Sequence, residues 1–130
     1  MSDTRTLRIG IMSRDEMRER TLAIARGALK PSADDPKVWF TSVESLAQVL
    51  STKNRLLLEI IRKMRPASMK ELAQLSGRHE SNLSRSLRTM ERYGLVRLNR
   101  QDHRIIPEVP YDELDFRIPL SKTSPELARA

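Results

Sequence analysis

The sequence has no cysteine, which excludes disulfides, thiolate metal sites and cysteine nucleophiles together. Aromatic residues make up only 4% of it, enough for a helical core of Leu, Ile and Met but not for an aromatic-walled ligand cavity. No run of 18 apolar residues occurs and the start carries no signal-peptide pattern, so neither a membrane span nor export is expected. The location expected for such a chain is the cytoplasm. Only two histidines are present, His79 and His103, both in a basic segment, and there is no glycine-rich phosphate loop. A nucleophile, base and stabiliser therefore cannot be assembled, and the chain is not expected to be an enzyme. Glu108, Asp112, Glu113 and Asp115 form the one dense acidic cluster; without an Asp-x-Asp-x-Asp-Gly pattern it reads as a solvated rim. Lacking cysteine and clustered histidine, the chain is expected to use neither a sensing metal nor a cofactor.

What the sequence does have is positive charge in one place. The chain is 130 residues long, one domain's worth, with a formal net charge of +7. Residues 62–104 hold eleven Lys/Arg against four Asp/Glu, whereas residues 1–61 hold ten against eight and residues 105–130 three against five. The surplus is thus confined to the middle of the chain, and a polyanionic partner is its simplest physical meaning.

Periodicity and punctuation place the elements. Residues 5–12 alternate as a short strand, and Ser13 with Glu16 has capping-box spacing before a helix over 14–29. That helix sets Met17, Thr21, Ile24, Ala25 and Ala28 on one side. The stretch KPSADDP at 30–36 is a surface connection. Val38, Trp39 and Phe40 form a strand over 38–41, and Ser42 caps a short helix carrying Leu46, Val49 and Leu50. A helix from Thr52 to Met64 buries Leu56, Leu57, Ile60, Ile61 and Met64, and Pro66 stops it. Ser68 and Glu71 repeat the capping box and open a helix with Leu72, Ala73 and Leu75 inward, closed by Gly77. The next helix, 80–92, has Leu83, Leu87 and Met90 at i, i+4 and i+7. Gly94 ends it, Leu95, Val96 and Leu98 begin a strand, 101–104 turn, and Ile105 and Ile106 return. Met12, Met17, Met64, Met69 and Met90 all fall at core-like positions. A further strand lies within 111–120, and residues 121–130 read as a flexible tail.

With Leu83, Leu87 and Met90 inward, the 80–92 helix turns Ser81, Asn82, Ser84, Arg85 and Arg88 outward. Asn and Arg each offer bidentate hydrogen bonds, to adenine and guanine edges respectively, so Asn82 and Arg85 are expected at bases. Ser81, Ser84 and Arg88 are expected at phosphates. Arg100, His103 and Arg104 crowd the tip of the following hairpin, within reach of phosphates or the minor groove; Asp102 is expected to orient Arg104 or cap the turn. Arg78 and His79 precede the helix, where histidine is a poor cap, and either could face phosphate.

The segment ELAQLSGRHESNLSRSLRTMERYGLVRLNRQDHR resembles the DNA-binding segment of MarR-type winged-helix regulators, with ArsR-type proteins close behind. Glu71-Leu72-Ala73, Gly77, Ser81 to Arg85, Leu87, Met90-Glu91 and Gly94-Leu95-Val96 carry the likeness. Asp102-His103-Arg104 stands where that family often has an Asp-x-Arg motif. The chain departs from it at Arg78 and His79, where an apolar residue and a Ser or Thr are usual, and in having no long terminal helix. The layout also resembles small prokaryotic DNA-binding regulators, some of them antitoxin-like. The resemblance implies an α+β, mainly α, winged helix-turn-helix whose short terminal strands form a small accessory sheet. Its expected parts are an N-terminal strand-helix-strand accessory or dimerisation element (1–42), the winged helix-turn-helix (43–106), a C-terminal strand extension (107–120) and the tail. The partner implied is double-stranded DNA, bound by a homodimer without membrane involvement, the protein serving as a repressor. The alternative is an antitoxin-like protein that neutralises a toxin partner through residues 1–42 or 107–130, the acidic 107–119 region being suited to a basic partner, and autoregulates its own operon, or a winged-helix RNA binder.

Overall fold

The structure, a computed structural model, describes residues 5–120; the tail expected over 121–130 lies outside the described residues. Its elements run β1 (Thr6–Ile11), α1 (Arg14–Ala25), β2 (Val38–Phe40), α2 (Val43–Val49), α3 (Thr52–Met64), α4 (Met69–Ser76), α5 (Glu80–Arg92), β3 (Arg97–Gln101), β4 (Arg104–Glu108) and β5 (Glu113–Arg117). It is an α+β fold of five helices and two small sheets among the described residues. No helix among them is long and apolar enough to cross a membrane.

The terminal strands come together in one parallel sheet of order β2-β1-β5, with Ile9 opposite Val38 and, on the other side, Leu7 opposite Leu114 and Ile9 opposite Phe116. Strand alternation gives this sheet two unlike faces. Leu7, Ile9 and Phe40 point down and are buried in the same apolar cluster as Leu57, Ile61, Leu72, Leu83, Leu87, Met90, Leu95 and Val96. Sheet and helices thus share one core. The upper face is polar: Arg8 lies 3.7 Å from Asp34 and 4.0 Å from Asp115. The Trp39 ring lies against Gly10, and Arg20 of α1 sits 5.6 Å from that ring while bonding Asp35 at 2.9 Å.

Helix ends follow capping chemistry. Ser13, Ser42, Ser51 and Ser68 each accept an amide at the third residue on, satisfying donors that the helix leaves open. Two helices end in the same way. Gly94 is left-handed at φ 77°, with its amide on the Glu91 carbonyl and the Leu95 amide on that of Met90. Gly27 does this for α1, with its amide on Ile24 and the Ala28 amide on Ala23. That closure is why α1 ends at Ala25 rather than at the expected residue 29. α1 also buries none of its residues, so the expected inward stripe through Met17 and Ile24 is a loose contact only.

Other expectations are corrected too. Leu56 is 53% and Met64 57% exposed, and Leu75 also faces solvent. Leu56 is one residue, about 100° of turn, away from buried Leu57. Met64 keeps the inward phase but is the last residue of α3, just before left-handed Arg65. Of the five methionines assigned to the core, only Met90 is buried.

At the seam between the sheet and α3, the Asp112 amide donates to the Arg5 carbonyl at 2.8 Å and the Arg5 amide to Asp112 Oδ2 at 2.9 Å. Arg62 Nη2 donates to Asp112 Oδ1 at 3.0 Å. The Arg5 amide, and after it the Arg62 guanidinium, hold the Asp112 carboxyl below the usual aspartate range. A carboxyl lowered on folding stabilises the fold above its unfolded pKa, and that contribution is lost as pH falls through the folded value. Denaturant midpoints through the acid range should therefore fall less steeply for Asp112→Asn than for the parent chain. A second expectation concerns Gly10, where an added Cβ would meet Trp39 ring atoms at 2.5 and 2.8 Å and Pro36 at 2.9 Å. Gly10→Ala should cost roughly 1–3 kcal/mol in urea unfolding, the usual scale of overpacking.

Candidate nucleic-acid interface

α4 and α5 meet through a three-residue turn, Gly77-Arg78-His79, in which Gly77 is left-handed at φ 71° and its amide bonds the Ala73 carbonyl. The hand of this glycine aims the chain out of α4 and into α5 at little steric cost. Leu83, Leu87 and Met90 are fully buried against Leu72 and the rest of the core, so the rotation of α5 about its axis is set by its apolar side. Ser81, Asn82, Arg85 and Arg88 are exposed and Ser84 is half-buried. At about 100° per residue, Ser81, Arg85 and Arg88 lie on the face opposite the buried triad, with Asn82 and Ser84 on its two flanks.

Arg92 continues this stripe one turn beyond Arg88 and is exposed. It was missed in the sequence because it closes the helix, although the 81-85-88-92 spacing was there to see. Lys53, on the first turn of α3, was missed for a better reason. Only the tertiary placement of α3 brings it to a cleft of about 690 Å³ that it lines with Leu56, Ile60, His79, Asn82 and Arg85.

Arg78 and His79 have different placements. Arg78 Nη2 donates to Ser86 Oγ at 2.8 Å, and its Nη1 is buried without a partner. Its guanidinium braces the turn against α5, which explains an arginine where an apolar residue would otherwise pack. His79 is the exposed N-cap of α5 and accepts no amide through its side chain. The first turn of α5 therefore keeps open N–H groups beside Ser81 and Asn82, a feature suited to anionic oxygen.

β3 and β4 pair antiparallel, with Arg100 opposite Ile105 and Gln101 opposite Arg104. Asp102 and His103 form the two-residue turn, both left-handed at φ 47° and 64°. Positive φ at both positions is what the right-handed twist of a tight hairpin requires. Asp102 makes no ion pair with Arg104 among the described residues, so its contribution is to the turn. Cross-strand register puts Arg100 and Arg104 on opposite faces of the ribbon, with exposed His103 between them at the tip.

The electrostatics separate this region from the rest. All five ion pairs among the described residues lie outside 69–108: Arg8 with Asp34 and Asp115, Arg20 with Asp35, Arg62 with Asp112 and Lys63 with Glu59. Arg85, Arg88, Arg92, Arg100 and Arg104 have no acidic partner within the described residues. Supplying the missing cap would test the local chemistry: His79→Ser should raise stability by about 1 kcal/mol in urea unfolding. An unchanged midpoint would mean that the amides of α5 are satisfied in another way.

A family model described as HVO_A0114 matches residues 49–116, just over half the chain. No curated protein matches. A solved structure described as the predicted DNA-binding transcriptional regulator from E. coli is similar at 21% identity and a TM-score of 0.46, over 72% of this chain and 84% of that one. The matched span begins at the end of α2 and takes in both helices of the turn, the hairpin and most of β5, and on it the chain belongs to the HVO_A0114 family.

Proposed function

We propose that this chain is a winged helix-turn-helix protein that binds double-stranded DNA sequence-specifically and regulates transcription, as its likeness to MarR-type regulators implies. The observation that carries this reading is the stripe of arginines, without an acidic partner among the described residues, on a helix whose opposite side is sealed in the core. α5 is 13 residues long, about 20 Å, and a major groove about 12 Å wide admits such a helix. In this reading Arg85 and Asn82 meet base edges, Ser81, Ser84, Arg88 and Arg92 meet phosphates, and His79 sits beside open amides that take a further phosphate oxygen. The β3–β4 hairpin is the wing, with Arg100, His103 and Arg104 straddling the backbone. Arg78 acts from behind, holding the turn. The work is recognition, without covalent chemistry.

One such helix reads too few bases for useful specificity, so two copies on half-sites one DNA turn apart are part of the proposal. Occupation of an operator by this dimer would repress the adjoining gene.

Selection from randomised duplexes tests the reading and should return a site with twofold symmetry. On that site Arg85→Ala should cost on the order of 1–3 kcal/mol and relax preference at one position of each half. Arg100→Ala and Arg104→Ala should weaken binding to all duplexes alike and lower the salt slope by about one each. Should Arg85→Ala bind selected and random duplex as the parent does, its place at the bases is wrong.

A further inference from the structure

β5 is an edge of its sheet: β1 pairs with it on one side, and no strand of the described residues pairs on the other. Edge strands are normally blunted by bulges, prolines or inward charge. Here the apolar face of the sheet instead runs out to the edge unfinished. Phe116, in register with buried Ile9, is 46% exposed, and so is Ile118, just past the end of β5 and before Pro119. Beside them a trough of about 460 Å³ runs between β5 and α3, floored by Leu58, Leu95, Val109 and Leu114. Charges alternate on the opposite face, Glu113, Asp115 and Arg117. Arg117 has no acidic partner among the described residues, and Asp115 only the 4.0 Å approach of Arg8.

We propose that β5 pairs antiparallel with β5 of a second copy about a twofold axis at Phe116, joining two three-stranded sheets into one. This rests on the dimeric reading above and names its surface. An axis perpendicular to the sheet keeps both apolar faces on the same side, so opposed residues must share a face, and a one-residue slip is excluded. Centring on Phe116 then sets Phe116 beside the partner's Phe116, Leu114 beside the partner's Ile118, and Asp115 beside the partner's Arg117. Neighbouring registers are less well matched in charge. Centring on Asp115 opposes two aspartates at the axis, although it sets Glu113 beside the partner's Arg117; centring on Arg117 opposes two arginines, and centring on Leu114 opposes Glu113 to Asp115. The chosen register is self-complementary in charge and in apolar contact, and it seats Phe116 and Ile118 of each copy toward the other's trough. A second copy of this chain is therefore the occupant that the edge itself specifies.

Sedimentation equilibrium of the full chain and its variants, without DNA, tests this. The parent should be a dimer. Asp115→Arg and Arg117→Asp should each weaken it on the order of tenfold or more, because two attractive cross-strand pairs become repulsive. Combining both swaps in one chain should restore the dimer. Mixing the two single variants should give a heterodimer, since one then supplies two arginines and the other two acids at opposed positions. Phe116→Arg should be monomeric with a circular dichroism spectrum unchanged from the parent. A monomeric parent, single swaps as tight as the parent, or mixed variants that stay apart would overturn the surface. Duplex affinity measured on the same samples separates the two claims. A monomer that still binds DNA refutes the edge pairing alone, and a dimer obeying the charge swaps without DNA affinity refutes only recognition.

Discussion

Burial of Leu83, Leu87 and Met90 fixes how α5 is turned about its own axis, and the remainder of the site follows from that setting. Removing three such side chains from water stabilises by about 1.5–3 kcal/mol each. Repulsion among Arg85, Arg88 and Arg92 on the far side is worth only about 0.2–0.5 kcal/mol per pair at helical spacing. The apolar side therefore decides the orientation by a wide margin, and the fold can hold a row of cations outward with no acid to neutralise them. Rotating α5 to hide the arginines would expose the triad and break the core that holds α4 and α3.

The far end of α5 is held as firmly as its face. Tyr93, the residue after the helix, stacks on Phe40 of β2 with ring centroids 4.1 Å apart and planes 13° from parallel. Gly94 then reverses the chain so that Leu95 and Val96 enter the core and the β3–β4 hairpin leaves beside α5. The parallel sheet of terminal strands is thus part of the mounting for α5. On its polar face Arg8 approaches Asp34 and Asp115, and Arg20 of α1 bonds Asp35, whereas Arg85, Arg88 and Arg92 have no acidic partner among the described residues.

Most of the elements were legible in the sequence because their signals are local. Serine caps three residues before an acceptor amide, left-handed glycines at helix ends, and the i, i+4, i+7 triad of α5 each depend on nearest neighbours along the chain. The outward placement of Asn82, Arg85 and Arg88 was readable for the same reason, since burying one face of a helix dictates the other. What could not be read depends on packing. That the terminal strands form one sheet was expected; its order and parallel direction, which join Thr6 to Glu113 across 107 residues of sequence, no periodicity announces. The bracing of Ser86 by Arg78 and the arrival of Lys53 at the cleft follow from tertiary packing. Two local signals were passed over: the spacing that adds Arg92 to the α5 stripe, and Gly27, which cost the expected α1 its last turn.

Recognition of a duplex by the outward face of α5 is the claim on which the functional reading stands. Amide chemical-shift mapping, with the isotope-labelled full chain titrated against a short DNA duplex in dilute buffer, tests it most directly. Saturable shifts should cluster at residues 77–92 and at the hairpin tip, 99–105, and should fade as salt is raised. Shifts confined to the terminal sheet, or no saturable change at all, would contradict it.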